Sequence, residues 1–139
     1  MRIPLPVLVV FLCLLPAVAV GADTPPEPEA VLARVDADGV QRATVVGGNY
    51  FFKPKHLVLK VNVPAELLLS REAGIVPHTL VLKAPEAGIE LDQTLRTDPE
   101  KVFFTPTAVG SYPFYCRNRL LFFKSHREQG MEGVLEVVP

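Results

Sequence analysis

From residue 41 onward the sequence is a series of short apolar segments, each soon interrupted by glycine, proline or asparagine. Several segments alternate with a period of two, so that Leu57, Leu59 and Val61 share one face of a strand while Val58 and Lys60 share the other. Many short strands separated by turn residues are typical of a sandwich or a barrel. The pattern therefore predicts an all-β protein.

About seven strands are predicted: Ala43–Gly47, His56–Val61, Ala65–Ser70, His78–Lys83, Lys101–Thr105, Ser111–Cys116 and Glu132–Val138. Between the fourth and fifth lies Ala84–Glu100, a long stretch that is too polar and too broken for a core strand. We expect it to be an irregular connection with a short helix around Leu91–Leu95.

The N-terminal region predicts export. Residues 1–22 combine Arg2, a mostly apolar run and small residues before Asp23, which is the layout of a cleaved signal peptide. A membrane helix is the competing interpretation, but three prolines interrupt the run and it is barely long enough to span a bilayer. Residues 23–40 are expected to form a flexible, proline-rich leader, with one or two helical turns over Ala30–Ala37, and residues 41–139 to form the domain. The expected location is the periplasm, with no stable membrane span after cleavage.

Charge and cysteine content narrow the possible partners. Without residues 1–22 the chain has 13 basic and 15 acidic side chains, a net charge of 13 − 15 = −2. No basic patch emerges, which argues against nucleic acid as a partner. Cys13 leaves with the signal peptide, so Cys116 is alone and a disulfide framework is excluded. An unpaired thiol in an oxidising compartment needs to be buried or bound.

Cys116, His126 and Met131 occur together on the segment before the last predicted strand. Alone, each has an ordinary explanation: an inert buried thiol, a solvated loop histidine, and a methionine that fills the core. Together, a thiolate, imidazole and a weak thioether favour copper, which commonly takes two histidines, one cysteine and an axial methionine. The second histidine must be His56 or His78. His78, at the start of an apolar strand, is the better candidate, because lysines flank His56, which should face water.

Two other chemistries remain open at this point. Zinc accepts one cysteine and two histidines, although methionine is a poor zinc ligand. A cysteine hydrolase would use Cys116 as its nucleophile with a histidine base, but no helix N-terminus is indicated beside it. Both are weaker interpretations than copper.

The motifs in this region resemble those of the cupredoxins, the small blue-copper proteins. The segment Gly110–Cys116 (GSYPFYC) is similar to the family pattern G-x-Y-x-F-x-C, and Gly130–Val137 (GMEGVLEV) to G-M-x-G-x-L-x-V. Phe52-Lys53-Pro54 followed by Leu57-Val58-Leu59 is similar to the usual entry into the first sheet. The resemblance implies a Greek-key β-sandwich with one copper ion held by His78, Cys116, His126 and Met131.

The sequence departs from the family pattern in one loop. Nine residues separate Cys116 from His126, whereas the small electron carriers have a much tighter loop. Lengthening a flexible loop from about three to about nine residues costs only roughly 1 kcal/mol of closure entropy, so the site should survive. The insert Leu120–Phe123 is strongly apolar, and we expect it to pack over the metal as a lid in preference to forming a docking surface beside it.

Histidine and cysteine counts exclude several copper enzymes. Only His56 remains once His78 and His126 are assigned, too few for a trinuclear cluster or a second catalytic copper, and a binuclear centre would need a second cysteine. We therefore expect a protein that is not an enzyme. It is expected to be a monomeric periplasmic electron carrier with a redox partner protein. The alternative is a copper-buffering or copper-tolerance protein that exchanges the metal with a donor or acceptor.

Overall fold

A computed structural model describes residues 29–139, which form eleven β-strands and one short 3₁₀ helix. The predicted signal peptide over residues 1–22 and the start of the leader lie outside the described residues. No helix within residues 29–139 is long and apolar enough to cross a bilayer. The elements in chain order are β1 (Ala30–Leu32), β2 (Arg34–Val35), β3 (Gln41–Gly48), β4 (Phe51–Lys53), β5 (His56–Lys60), β6 (Ala65–Arg71), β7 (His78–Ala84), the 3₁₀ helix (Pro85–Ala87), β8 (Ile89–Leu95), β9 (Glu100–Phe104), β10 (Gly110–Tyr115) and β11 (Glu132–Val138).

The strands form two mixed sheets. The first has the order β1-β5-β11-β10-β7-β8, and the second has the order β2-β3-β6-β9 with β4 paired to β3. The chain passes repeatedly between the sheets, and β11 returns to lie parallel to β5. The all-β Greek-key sandwich predicted from the sequence is confirmed.

The core lies between the sheets and follows the alternation of the sequence. On β5, Leu57 and Leu59 are buried while Val58 is only partly covered, and on β11 Leu135 and Val137 are buried in the same way. Inward-facing side chains of both sheets interdigitate in such a sandwich and stabilise it chiefly by removing apolar surface from water. The seven predicted strands are all present as β3, β5, β6, β7, β9, β10 and β11.

Strand β8 corrects the prediction for Ala84–Glu100. The short helix expected around Leu91–Leu95 is wrong, because Ile89–Leu95 pairs antiparallel with β7 along its whole length. Apart from the 3₁₀ turn at Pro85–Ala87, most of this stretch is therefore strand. An edge strand tolerates polar side chains on its outer face, which explains why the segment looks irregular in sequence.

The N-terminal segment needs a similar correction. No helical turn forms over Ala30–Ala37: β1 pairs parallel with β5 and β2 pairs antiparallel with β3. Ordered strands thus begin at Ala30, within residues 23–40 that were expected to be a leader. With β1, β2, β4 and β8 added, the strand count rises from about seven to eleven.

Candidate metal centre

His78 and Cys116 come from neighbouring strands of the first sheet. His78 is the first residue of β7, and Cys116 directly follows the last residue of β10. The two strands are antiparallel, with Tyr115 paired to Val81. The start of one strand therefore lies beside the end of the other, and the two side chains lie at the same end of the sandwich.

Backbone hydrogen bonds hold both ends of the connection between β10 and β11 at this end of the sandwich. The amide of His126 donates to the carbonyl oxygen of Asn118 at 2.9 Å, and the amide of Met131 donates to the carbonyl oxygen of His126 at 2.9 Å. The amide of Cys116 donates to the carbonyl oxygen of Met131 at 3.0 Å. These bonds hold the backbone of all three residues together across a connection of unusual length.

The side chains of His78, Cys116 and His126 form a compact cluster. Nδ1 of His126 lies 3.2 Å from Nδ1 of His78 and 3.4 Å from Sγ of Cys116. All three ligand atoms lie within 4.8 Å of one another, so a single ion could contact them together. Each residue is at most 2% exposed. The cluster is thus a buried set of two imidazoles and one thiol.

His56, the other candidate histidine, lies elsewhere. It is on β5, where Nε2 lies 2.8 Å from a carboxylate oxygen of Glu136 on β11. It is also partly buried, so the expectation that it faces water is only partly met. The structure therefore places His78, and not His56, beside Cys116 and His126.

Met131 is completely buried close to this cluster. Its methyl group lies against Gly47, where an added Cβ would be 3.1 Å from Met131 Cε. Its backbone is tied to both Cys116 and His126, which keeps the side chain near the site. Its role as a fourth ligand stays a prediction.

Asn49 fixes the orientation of the His78 ring. Its Oδ1 lies 2.8 Å from Nε2 of His78 and accepts the proton of that nitrogen. A neutral imidazole carries one proton, so Nδ1 then presents its lone pair to the cluster. Such a partner fixes the tautomer of a metal-binding histidine and raises its basicity.

Thr79, on β7, contacts the Cys116 sulfur and the two loop residues that follow it after β10. Its amide points to Sγ of Cys116 at 3.4 Å, while its hydroxyl donates to Oδ1 of Asn118 at 2.8 Å and accepts from the amide of Arg117 at 3.2 Å. The hydroxyl proton is thus used by Asn118, which leaves the Thr79 amide as the group directed at the sulfur. The network holds the ends of β7 and β10 together.

Burial favours the neutral form of both imidazoles. The pKa of His78 is lowered to about 4, mainly by burial and further by His126 and by the guanidinium of Arg71. Burial also lowers the pKa of His126. Protonation would place charge in a poorly solvated site, so the nitrogen lone pairs stay available to a metal.

The expectation that Leu120–Phe123 covers the metal site is wrong. A bridge between Arg119 and Ser125 closes the base of this segment, which projects away from the domain with all four side chains exposed. Tyr50 packs against His126 instead, with ring centroids 4.8 Å apart. His126 also borders a groove lined by Ile75, Val76, Pro77, Asn118, Arg119 and Leu120.

The residues around the candidate ligands were not predicted from the sequence. Asn49 and Tyr50 lie in a polar turn between β3 and β4 with no local pattern to mark them. Asn118 is equally unremarkable within its loop. Thr79 could have been suspected, since it directly follows a predicted ligand on an otherwise apolar strand.

The donor set restricts the metals that would fit. Thiolate and imidazole ligands suit copper and zinc, whereas magnesium and calcium require oxygen ligands. A buried cluster of two neutral imidazoles and one free cysteine fits either of the first two. A thioether as fourth ligand would favour copper, because zinc takes methionine poorly.

Comparison with known proteins supports the fold. No protein-family model matches the sequence, and no curated protein matches it significantly. Among solved structures, the metal-binding domain of the Streptococcus pneumoniae Cu(I)-exporting P-type ATPase CopA is 18% identical, with 82% of this chain and 100% of that chain covered and a TM-score of 0.61.

Two further solved structures show the same likeness. Auracyanin B is 20% identical over 70% of this chain and 88% of that chain, with a TM-score of 0.53. A copper-binding protein in its apo form is 20% identical over 81% of this chain and 100% of that chain, with a TM-score of 0.51. At such identities the likeness concerns the fold. Together with the strand order and the position of the His78–Cys116–His126 cluster, it shows that this chain has the cupredoxin fold.

Proposed function

We propose that the protein binds one copper ion per chain and serves as an electron carrier in the periplasm. The observation that carries this proposal is the buried cluster of His78, Cys116 and His126, whose donor atoms already lie within 4.8 Å of one another. Copper bound there would supply one-electron chemistry through its Cu(I) and Cu(II) states. Met131 is proposed as the fourth, axial ligand.

The protein frame supports electron transfer because it holds the ligands with little freedom. Two of them are attached directly to β7 and β10, and the third is held by backbone hydrogen bonds to its own loop. A site that cannot rearrange much imposes nearly the same surroundings on both oxidation states. The cost of reorganisation on each transfer is then small.

His126 is the ligand best placed to exchange electrons with a redox partner. It lines the apolar groove formed with Ile75, Val76 and Pro77 at the surface. A partner that covers this groove would come close to the imidazole while excluding water. His78, by contrast, borders a separate pocket that is polar, since Asn49, Arg71 and Glu72 line it.

We propose a carrier in preference to an enzyme because the described residues offer no second group of metal ligands at which a substrate could react. Within residues 29–139 the one group of side chains arranged to hold a metal is that of His78, Cys116 and His126. His56, the remaining histidine, is bound to Glu136. The predicted signal peptide supports the periplasmic location and the absence of a retained membrane span. A monomer remains the proposed state.

Copper buffering is the second candidate function. It is favoured by one feature, the long excursion between Cys116 and His126, which would let His126 move away from the other two donors more easily than in a short loop. A buffering protein would need such a route for releasing the metal to an acceptor. The hydrogen bonds at the base of the loop argue for the carrier.

Repeated redox cycling should distinguish these functions. The copper-loaded protein is expected to undergo many cycles of chemical reduction and reoxidation without losing copper to a competing chelator, because its ligands are held by the sandwich. Visible absorption records the redox state, and metal analysis after gel filtration records the copper retained. Loss of copper to the chelator within the first cycles would contradict the carrier and favour buffering.

Replacing Asn49 should weaken copper binding although Asn49 is not itself a ligand. Asn49→Leu removes the acceptor for the His78 Nε2 proton, and loss of such a partner typically costs about 10- to 100-fold in metal affinity. Asn49→Asp retains an acceptor and should preserve more of the affinity than the leucine variant. Competition titration measures the affinities, and nitrogen NMR of the metal-free protein reports the His78 tautomer.

The wild-type tautomer is expected to carry its proton on Nε2, and Asn49→Leu should mix the two tautomers. If copper affinity and the tautomer are both unchanged in Asn49→Leu, Asn49 does not position His78.

Met131→Leu tests the fourth ligand. Leucine conserves volume and apolar character, so the free energy of unfolding should fall by less than about 1.5 kcal/mol. An axial thioether bond is long and weak, so its loss should leave copper bound. We expect a higher reduction potential together with altered visible and paramagnetic-resonance spectra. Unchanged spectra would show that Met131 is not a ligand, and would favour copper buffering over electron transfer.

A further inference from the structure

Leu120–Phe123, here called the apolar tip, is an exposed turn at the metal-binding end of the domain. The exposures of its four side chains are 53%, 75%, 101% and 66% in chain order. The amide of Phe123 donates to the carbonyl oxygen of Leu120 at 3.0 Å, and the bridge between Arg119 and Ser125 closes the turn below it. Four successive large apolar side chains are therefore held outward by a defined backbone.

A fifth exposed apolar side chain, outside the tip, extends this surface along the groove. Ile75 is 99% exposed and shares the groove beside His126 with Leu120. Most exposed apolar residues are scattered singly and need no explanation, whereas contiguous apolar surface of this kind marks an interaction site. The apolar tip and Ile75 together form such a surface.

The charges around the apolar tip are basic although the whole chain is slightly acidic, with a net charge of −1. Between Cys116 and Gly130 there are four cationic side chains and one carboxylate, and with Asp92 and Glu132, which contact two of the arginines, the local balance is 4 − 3 = +1. The three arginines, Arg117, Arg119 and Arg127, contact Asp92, Glu128 and Glu132 respectively. Lys124, which directly follows the tip, has no carboxylate within 4.0 Å among the residues described. One free cation therefore adjoins the apolar side chains.

We propose that the apolar tip inserts into the interfacial layer of a phospholipid bilayer that carries anionic headgroups. Phe122 projects fully into solvent, so a rigid protein partner would need a deep socket shaped to receive it. A bilayer is fluid and needs no shape complementarity. Aromatic and aliphatic side chains partition into its interface, and a neighbouring lysine gains from anionic lipid.

Insertion of the tip is independent of the proposed copper function. The tip contributes no ligand, and its insertion should occur with or without metal. Insertion would set the orientation of the domain at the membrane, because the tip and the groove beside His126 lie at the same end of the domain. Insertion would direct that end of the protein to the membrane surface.

Tryptophan substitution can locate the contact because the chain contains no tryptophan. The protein is expressed from its full-length sequence, and its N-terminus is determined by mass spectrometry. The variant Phe122→Trp is then compared with Phe103→Trp. Phe103 is a matched control, since it is 66% exposed, as Phe123 is, but lies on β9 in the second sheet. Vesicles of phosphatidylcholine, with and without phosphatidylglycerol, are prepared with brominated acyl chains that quench nearby tryptophan.

We expect strong quenching and a blue shift for Phe122→Trp on vesicles containing phosphatidylglycerol, and neither change for Phe103→Trp. In vesicle sedimentation, the double substitution Phe122→Ser and Phe123→Ser should weaken partitioning by at least about tenfold, because two apolar side chains lose their burial. Phe103→Ser should have no effect. Lys124→Gln should cost about fivefold on the anionic vesicles only.

Several outcomes would overturn the proposal. An unquenched Phe122→Trp excludes insertion of the tip, even if the protein sediments with vesicles through another segment such as retained N-terminal residues. Equal partitioning of the wild type and the double serine variant excludes it as well. If every vesicle measurement is negative in both metal-free and copper-loaded protein, the apolar tip is a surface for a protein partner and not for lipid.

Discussion

The antiparallel pairing of β10 with β7 is the constraint on which the metal centre depends. It sets Tyr115 opposite Val81. Cys116 is one residue beyond Tyr115 and His78 is three residues before Val81, so the two residues lie at the same end of the sandwich. Neighbouring strands lie about 4.8 Å apart, which is close enough for side chains at adjacent ends to share one ion. The relative position of His78 and Cys116 is therefore set by the sheet, and Thr79 and Asn49 refine it by orienting the sulfur and the imidazole.

The long ligand loop separates two roles that a short loop would combine. Its base is closed by backbone hydrogen bonds that hold His126 and Met131 near Cys116, and each such bond contributes about 1 kcal/mol net. These bonds are enough to offset the roughly 1 kcal/mol of added closure entropy. The apolar tip then lies outside the closed base, where it can contact another surface without disturbing the ligands. An inserted segment thus adds an interaction site while the donor cluster is retained.

The sequence predicts the sandwich well because its central strands alternate strongly, and β11 was located at its observed ends. It fails for β8, where polar residues such as Glu90 and Asp92 occupy the outer face of an edge strand and imitate a loop. For the candidate site, the order of residues along the chain was sufficient to predict that His78, Cys116 and His126 lie together. Asn49 could not be predicted, since its contact with His78 spans 29 positions and only the folded sheets bring the two together. The tip was misjudged because an apolar segment has the same composition in a core and on a surface.

The central claim is that one copper ion is held by the Cys116 thiolate and the His78 and His126 imidazoles. X-ray absorption spectroscopy at the copper edge, on protein loaded with one equivalent of copper, tests it most directly. The account predicts one short copper–sulfur bond and two imidazole nitrogens, unchanged in His56→Ala and reduced by one nitrogen in His78→Ala. A spectrum with only nitrogen and oxygen neighbours, or loss of a nitrogen in His56→Ala, would contradict it.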